Sequence, residues 1–228
     1  MALPLACATL GRAMQAYQHD LIEFALSRGV LRFGNFTLKS GRQSPYFFNT
    51  GLFNTGEALH RLGSAYAQRA IDAGLSFDGL FGPAYKGIPL VSAMSVALAA
   101  EHGHDCPYAF DRKEPKDHGE GGSLVGAPLQ GDVLVVDDVI SAGTSVAHSV
   151  NLIQAAGARF AGVLVALDRQ ERGNGERSAT QEVAERYGVG VTSILNVDTL
   201  VDYLASQSGM QQPLAAINRY RADYGVAP

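Results

Sequence analysis

Several large functional classes are excluded by what this sequence lacks. It holds only two cysteines, Cys7 and Cys106. They lie far apart, with no CxxC motif and no metal-ligand spacing, and read as free thiols in a reducing compartment. No apolar run approaches the length of a membrane span. The opening MALPLACATLGRAM has no basic n-region and only a short apolar run, so it reads as an extension and not as a secretory signal. A cytoplasmic location is expected. Positive charge is also scarce. The chain has 18 Lys and Arg against 22 Asp and Glu, a net charge of −4, whereas a general nucleic-acid binder is normally basic. Neither nucleic acid nor membrane is an expected partner. There is no internal repeat or low-complexity tract, no G-x-x-x-x-G-K-[ST] loop and no G-x-G-x-x-G turn.

What is present points to a substantial core. Hydrophobic residues make up 46% of the 228 positions and charged residues 18%, which fits one α/β domain with or without an appendage. AYQHDLIEFALSRG places Tyr17, Leu21, Phe24 and Ala25 on one helical face and closes at Gly29. LRFGNFTLKSGRQSPYFFNTG is β-prone but broken by Gly34, Gly41 and Pro45, as in a small strand-rich flap. NTGEALHRLGSAYAQRAIDAG predicts a helix started by Asn54 with Glu57 and ended at Gly74. Strands and helices then alternate: FDGLFG, IPLVSAMSVALAAEHG, CPYAF, DVLVVDD, SVAHSVNLIQAAG, FAGVLVALD, SATQEVAERYG with a Ser178/Gln181 capping box, VGVTSIL, and a last helix in PLAAINRYRADYG. That rhythm predicts a mostly parallel sheet covered on both faces. The segment DRKEPKDHGEGGSLVGAPLQG, residues 111–131, is long, polar and glycine-rich. It reads as a long loop; composition slightly favours a solvated charged hairpin tip, while its many glycines suit a mobile lid.

The chemistry concentrates in VLVVDDVISAGTS, residues 133–145. Asp137 and Asp138 end an apolar strand, where desolvation and mutual repulsion are costly. The fold itself is not expected to gain from them. In an open parallel sheet, ligands bind at the carboxyl ends of the strands. Small residues and hydroxyls follow before a helix begins, and the free N–H groups at a helix start attract an anion. Acids cannot hold a phosphate, but they accept hydrogen bonds from sugar hydroxyls and attract a cation. The combination implies a phosphorylated sugar.

The same stretch resembles the phosphoribosyl-pyrophosphate (PRPP) motif of the type I phosphoribosyltransferases. FTLKSGRQSPYFFNTG, FGPAYKGIPL, RKEPKDHGEGG and LDRQERG narrow the resemblance to the orotate phosphoribosyltransferases, from about Tyr17 to about Gly225. It implies a type I phosphoribosyltransferase α/β fold with a central sheet flanked by helices, a small N-terminal hood and a flexible lid loop. Residues 1–16 would be an extension, with the hood at about 17–55 and the core at about 56–228. The implied activity transfers the 5-phosphoribosyl group of PRPP to orotate, giving orotidine 5'-monophosphate and pyrophosphate, with Mg2+ carried mainly by PRPP and water near Asp137 and Asp138 and not by a protein cage.

By the same resemblance, Asp137, Asp138, Lys113 and Lys39 are the implied catalytic residues. PRPP would meet Lys39, Tyr85, Lys86, Arg112, Lys113, Lys116, His118, Asp137, Asp138 and the run Val139, Ile140, Ser141, Ala142, Gly143, Thr144 and Ser145. Orotate would meet Phe47, Phe48, Ser141 and Arg169. Tyr85 would contribute through its backbone, with a packing role for the ring as the alternative. One of the two Phe rings could serve the core alone, and Glu171 and Arg172 are left to solvent. The resemblance also implies a homodimer whose lid reaches the partner's site. A purine or other pyrimidine phosphoribosyltransferase and a PRPP-sensing DNA-binding regulator are the competing readings. The flap and the Arg169 segment oppose the first. The acidic chain, with no spare segment ahead of Tyr17, opposes the second.

Overall fold

The computed structural model describes residues 14–38, 40–116, 122–140, 144–173 and 175–226, without the side chains of 113–116, 122 and 144. The extension up to residue 13 therefore lies outside the described residues.

The chain begins with helix α1 (Ala16–Ser27) and a two-stranded antiparallel ribbon of β1 (Leu31–Thr37) and β2 (Gln43–Phe48). A short 3-10 turn, Thr50–Leu52, leads into α2 (Gly56–Asp72). The hydroxyl that caps α2 is that of Thr55, which accepts the N–H of Ala58 at 3.3 Å. Asn54 was the expected cap, but its side chain falls one position too early to do this. Then come β3 (Gly79–Gly82), α3 (Gly87–His102), β4 (Tyr108–Lys116), β5 (Gly122–Gly126), β6 (Asp132–Asp137), α4 (Thr144–Ala155), β7 (Arg159–Asp168), α5 (Ala179–Tyr187), β8 (Gly190–Asn196), α6 (Val197–Ser206) and α7 (Gln211–Tyr224).

The main sheet has the order β5-β4-β3-β6-β7-β8. All neighbours are parallel except β5, which returns antiparallel on β4. Two expectations need correction here. Residues 111–131 are not one loop, because β4 runs on to Lys116 and pairs with β5, so the lid region stands on the two arms of a hairpin. Polar side chains hid this strand, since an edge ribbon can pair its backbone without an apolar face. Helix α6 was not anticipated at all, although Asn196 caps it by accepting the N–H of Thr199 at 2.8 Å.

Period-two alternation in β6 and β7 divides the core. Leu134, Val136, Leu164 and Ala166 face one cluster with α1, α2, α3, α6 and α7. Val133, Val135, Val163 and Val165 face the other with α4 and α5. All eight are at most 3% exposed, and each large side chain so buried contributes about 1.5–3 kcal/mol. The central strands are thus a rigid floor whose carboxyl ends hold their side chains in fixed places. Among the described residues no helix is long and apolar enough to cross a membrane.

Candidate active site

The carboxyl ends of β3, β6 and β7 open toward the β1–β2 ribbon. Asp137 is the last residue of β6 and only 7% exposed. Its carboxylate accepts the N–H of Asp138 at 2.8 Å and the hydroxyl of Ser145 at 3.3 Å. Burial, followed by the charge of Asp138, pushes its pKa up to about 6. Its carbonyl accepts the buried Tyr66 hydroxyl at 2.7 Å.

Asp138 is the meeting point of three segments. Its Oδ2 accepts Lys86 Nζ at 2.5 Å and Thr50 Oγ1 at 3.0 Å, and its Oδ1 accepts the N–H of Val139 at 2.8 Å. Its carbonyl accepts the N–H of Ala166 at 2.9 Å. The expectation that the fold gains nothing from these acids is therefore corrected. They hold the turn after β6 and join it to the ribbon's exit and to the loop after β3. The sequence could not show this, because Thr50 and Lys86 lie far from Asp138 in the chain.

The loop 83–86 is tightly closed. A Cβ on Gly87 would stand 2.6 Å from the Pro83 ring, and one on Gly82 would strike the Gly87 carbonyl. Only glycine fits at both ends. The loop projects Tyr85, 67% exposed, and Lys86, whose side chain is 58% exposed. Val139 is half-buried against one core cluster and Ile140 lies within the other. Ser145 is exposed at the start of α4.

Arg112 lies on β4, half-buried, and its buried Nη1 has no hydrogen-bond partner among the described residues. Lys113 and Lys116 follow on the same strand, with side chains outside the described residues. Lys39, His118, Ser141, Ala142 and Gly143 also lie outside the described residues, as does the Thr144 side chain.

At the far side of the mouth, Arg169 follows β7 with its side chain 17% exposed. Its Nε and Nη2 donate to Glu171 Oε1 at 2.8 and 2.6 Å, and Nη2 also donates to Ser44 at 2.9 Å. Its guanidinium lies 4.1 Å over the Tyr46 ring. Glu171 is only 14% exposed and also stands 3.9 Å from Arg42. Leaving Glu171 to solvent is thus corrected, because a buried arginine needs a counter-charge. Arg172 also has partners: its N–H donates to the Tyr224 carbonyl at 2.8 Å and its guanidinium to that of Asp223.

Strand alternation sends Phe47 and Phe48 to opposite faces of the ribbon. Phe48 packs on the core, on the face of Ser44 and Tyr46, whereas Phe47 meets Phe36 and Arg32. Thr50, Tyr66, Ser44 and Tyr46 escaped the sequence reading. Thr50 carried a signal, standing directly beyond the aromatic pair. Tyr66 carried none.

No group of three or more His, Cys, Asp or Glu that could hold a metal occurs among the described residues. Asp137 and Asp138 alone suit Mg2+ only as an ion that brings its own water and phosphate ligands.

Residues 52–188 match the family described as phosphoribosyl transferase domain. Over 213 residues, 93% of this chain and all of the relative, the chain is 60% identical to the orotate phosphoribosyltransferase of Pseudomonas paraeruginosa PA7. Its identity to that of Photobacterium profundum is also 60% over 213 residues, again 93% of this chain and all of the relative. The crystal structure of orotate phosphoribosyltransferase from Francisella tularensis superposes with a TM-score of 0.83 at 44% identity, covering 90% of this chain and 99% of that one.

Proposed function

The chain belongs to the orotate phosphoribosyltransferases, and we propose that its strand-end acids carry the ribose while the β3 loop and the β7 end carry the two groups exchanged there. It transfers the phosphoribosyl group of PRPP to orotate, giving orotidine 5'-monophosphate and pyrophosphate, in pyrimidine biosynthesis. The bond from C1' to the pyrophosphate oxygen breaks, a bond from C1' to orotate N1 forms, and the N1 proton passes to the leaving pyrophosphate or to water.

The observation that carries these roles is the Asp138 carboxylate, held at once by Lys86, Thr50 and Val139. PRPP places its 5'-phosphate on the 141–145 segment at the start of α4, where free N–H groups favour an anion. Its ribose hydroxyls donate to Asp137 and Asp138. Lys86 then leaves Asp138 for the pyrophosphate, joined by Arg112, Lys113, Lys116 and His118. Lys39 acts at the junction between the two substrates. As C1' gains positive charge, the fixed carboxylates below stabilise it more than they stabilise the ground state. When bound, Mg2+ neutralises pyrophosphate charge, held through PRPP oxygens and water beside Asp137 and Asp138.

Orotate lies between the ribbon and Arg169, with Phe48 on its near face and Ser141 beside it. Phe47 orders the opposite face through Phe36 and Arg32. Helix α3 supports the homodimer. It has no charged residue before Glu101, and Val96 is 65% exposed. A helix uncharged over most of its length normally has cover on every side, which a second copy seated there would provide.

A turnover assay with orotate, adenine, guanine, hypoxanthine and uracil tests the activity, and preference for a purine would overturn it. In the same assay Arg169→Ala raises the KM for orotate by about 10²-fold, the scale of a lost charge-assisted pair, and leaves the KM for PRPP near wild type. An unchanged orotate KM would remove Arg169 from the site.

The pKa of Asp137 gives a second test. Its carboxyl accepts from a ribose hydroxyl much more strongly when ionised, so the KM for PRPP should rise as pH falls through about 6. The contribution of this group to folding runs the other way. A raised acid pKa means that the native state holds a proton which the unfolded chain gives up. Its stabilising contribution is full below the unfolded value and is lost as pH rises through about 6. A PRPP KM flat from pH 5 to 8 would contradict the assignment.

A further inference from the structure

We infer that Asp111 is a positioning residue for the pyrophosphate end of the site, acting through Ala84 and His148 without touching the substrate. The inference rests on the role of the loop 83–86 proposed above.

Asp111 lies on β4 and is 3% exposed. A carboxylate so deeply buried is tolerated only when its oxygens are occupied. Oδ1 accepts the N–H of Ala84 at 2.5 Å, and Oδ2 lies 3.0 Å from His148 Nε2. Both contacts reach parts of the site. The ladder between β3 and β4 ends at the pair Gly82 and Phe110. One residue further along β4, Asp111 stands beside the loop that has just left the sheet, and its carboxylate replaces the acceptor that the Ala84 N–H no longer finds in a neighbouring strand. Ala84 is two residues from Lys86.

His148 lies on α4, three residues beyond Ser145, whose hydroxyl binds Asp137. One buried carboxylate thus ties the loop that presents Lys86 to the helix that starts at the phosphate cradle. The next residue on the strand is Arg112. Because Gly82 and Gly87 already press together at the other side of the loop, the Asp111 bond fixes the remaining freedom of its first half. PRPP spans both tied segments, whereas orotate meets only Ser141, ahead of α4, and has most of its contacts at the ribbon and Arg169.

The test is the steady-state kinetics of Asp111→Leu and Asp111→Asn in both directions of the reaction, with Lys86→Ala alongside. Asp111→Leu removes both acceptors and is bulkier, a difference that Asp111→Asn, the same size as Asp, controls for. It should raise the KM for PRPP and for pyrophosphate roughly tenfold, the scale of a buried donor left unmade, with the KM for orotate within about twofold. Asp111→Asn keeps an oxygen for Ala84 and should recover most of that loss. His148→Ala, on an exposed side chain, cuts only the helix link and should give the same pattern at about threefold. A fall in melting temperature with all KM values unchanged would overturn the inference, as would Asn performing no better than Leu. If Lys86→Ala leaves the pyrophosphate KM unchanged, the role of the loop fails first, and that of Asp111 with it.

Discussion

Asp138→Asn should lower kcat/KM for PRPP by about 10²–10³-fold, the range found for removal of one preorganised electrostatic contact in an active site. The substitution keeps the size of the side chain and removes its charge. In the native site both oxygens of Asp138 accept, from Lys86, Thr50 and Val139. An amide nitrogen in place of either oxygen would aim a donor at another donor. It would also leave the developing charge at C1' without its nearer counter-charge. The exposed Lys86 pair adds little to stability, but the mismatch at the largely buried Asp138 should cost about 1–3 kcal/mol, the scale of a buried hydrogen bond left unmade, less than the loss of activity. Activity and thermal unfolding measured on one preparation would check this. Parallel losses of activity and melting temperature would mean that Asp138 serves the fold first.

Lys113→Ala should reduce turnover about 10²-fold, as expected for loss of a cation opposite a departing anion. Its stability should stay within the ~0.5 kcal/mol typical of a substitution away from the core. Lys113 belongs to β4 beyond its pairing with β3, where the strand is held only by β5. The sharper experiment mixes subunits. In a heterodimer of Lys113→Ala with Asp138→Asn, a lid that crosses gives one site an intact Asp138 from its own chain and an intact Lys113 from its neighbour. The other site carries both defects, so about half of the wild-type turnover per dimer should return. If each lid serves its own chain, every site keeps one defect and nothing returns. Verified heterodimers without recovery would therefore rule out sharing.

The sequence made the strand ends legible and left the side chains that organise them hidden, for a physical reason. Buried parallel strands read as unbroken apolar runs, so VLVV announced β6, and two acids behind it could only be at a strand's end. The Ser178/Gln181 capping box was local and was found as expected. Partners distant in the chain were not readable. Nothing near Asp138 in sequence names Thr50, and nothing near Arg169 names Ser44. The charged arm of β4 read as loop because strand reading relies on side-chain pattern, while an edge ribbon forms through its backbone. Glu171 read as solvated because a lone acid in a polar segment usually is. Its burial follows from Arg169, itself pulled inward over Tyr46.

The β7 end has one consequence for how the enzyme comes into being. Arg42 donates to the carbonyl of Arg172 at 2.8 Å, and its guanidinium lies 5.0 Å over the ring of Tyr224 on α7. Val226 N–H donates to the carbonyl of Gln170 at 3.0 Å. The wall that steadies Arg169 thus draws on the first ribbon and the last helix. A chain emerging from the ribosome folds from its front, so the sheet and the phosphate end can form while the base end still lacks a side. On the roles proposed above, capacity to hold a nucleobase would then appear only once α7 has been synthesised and docked, and orotate binding would mark the finished protein and not a nascent one.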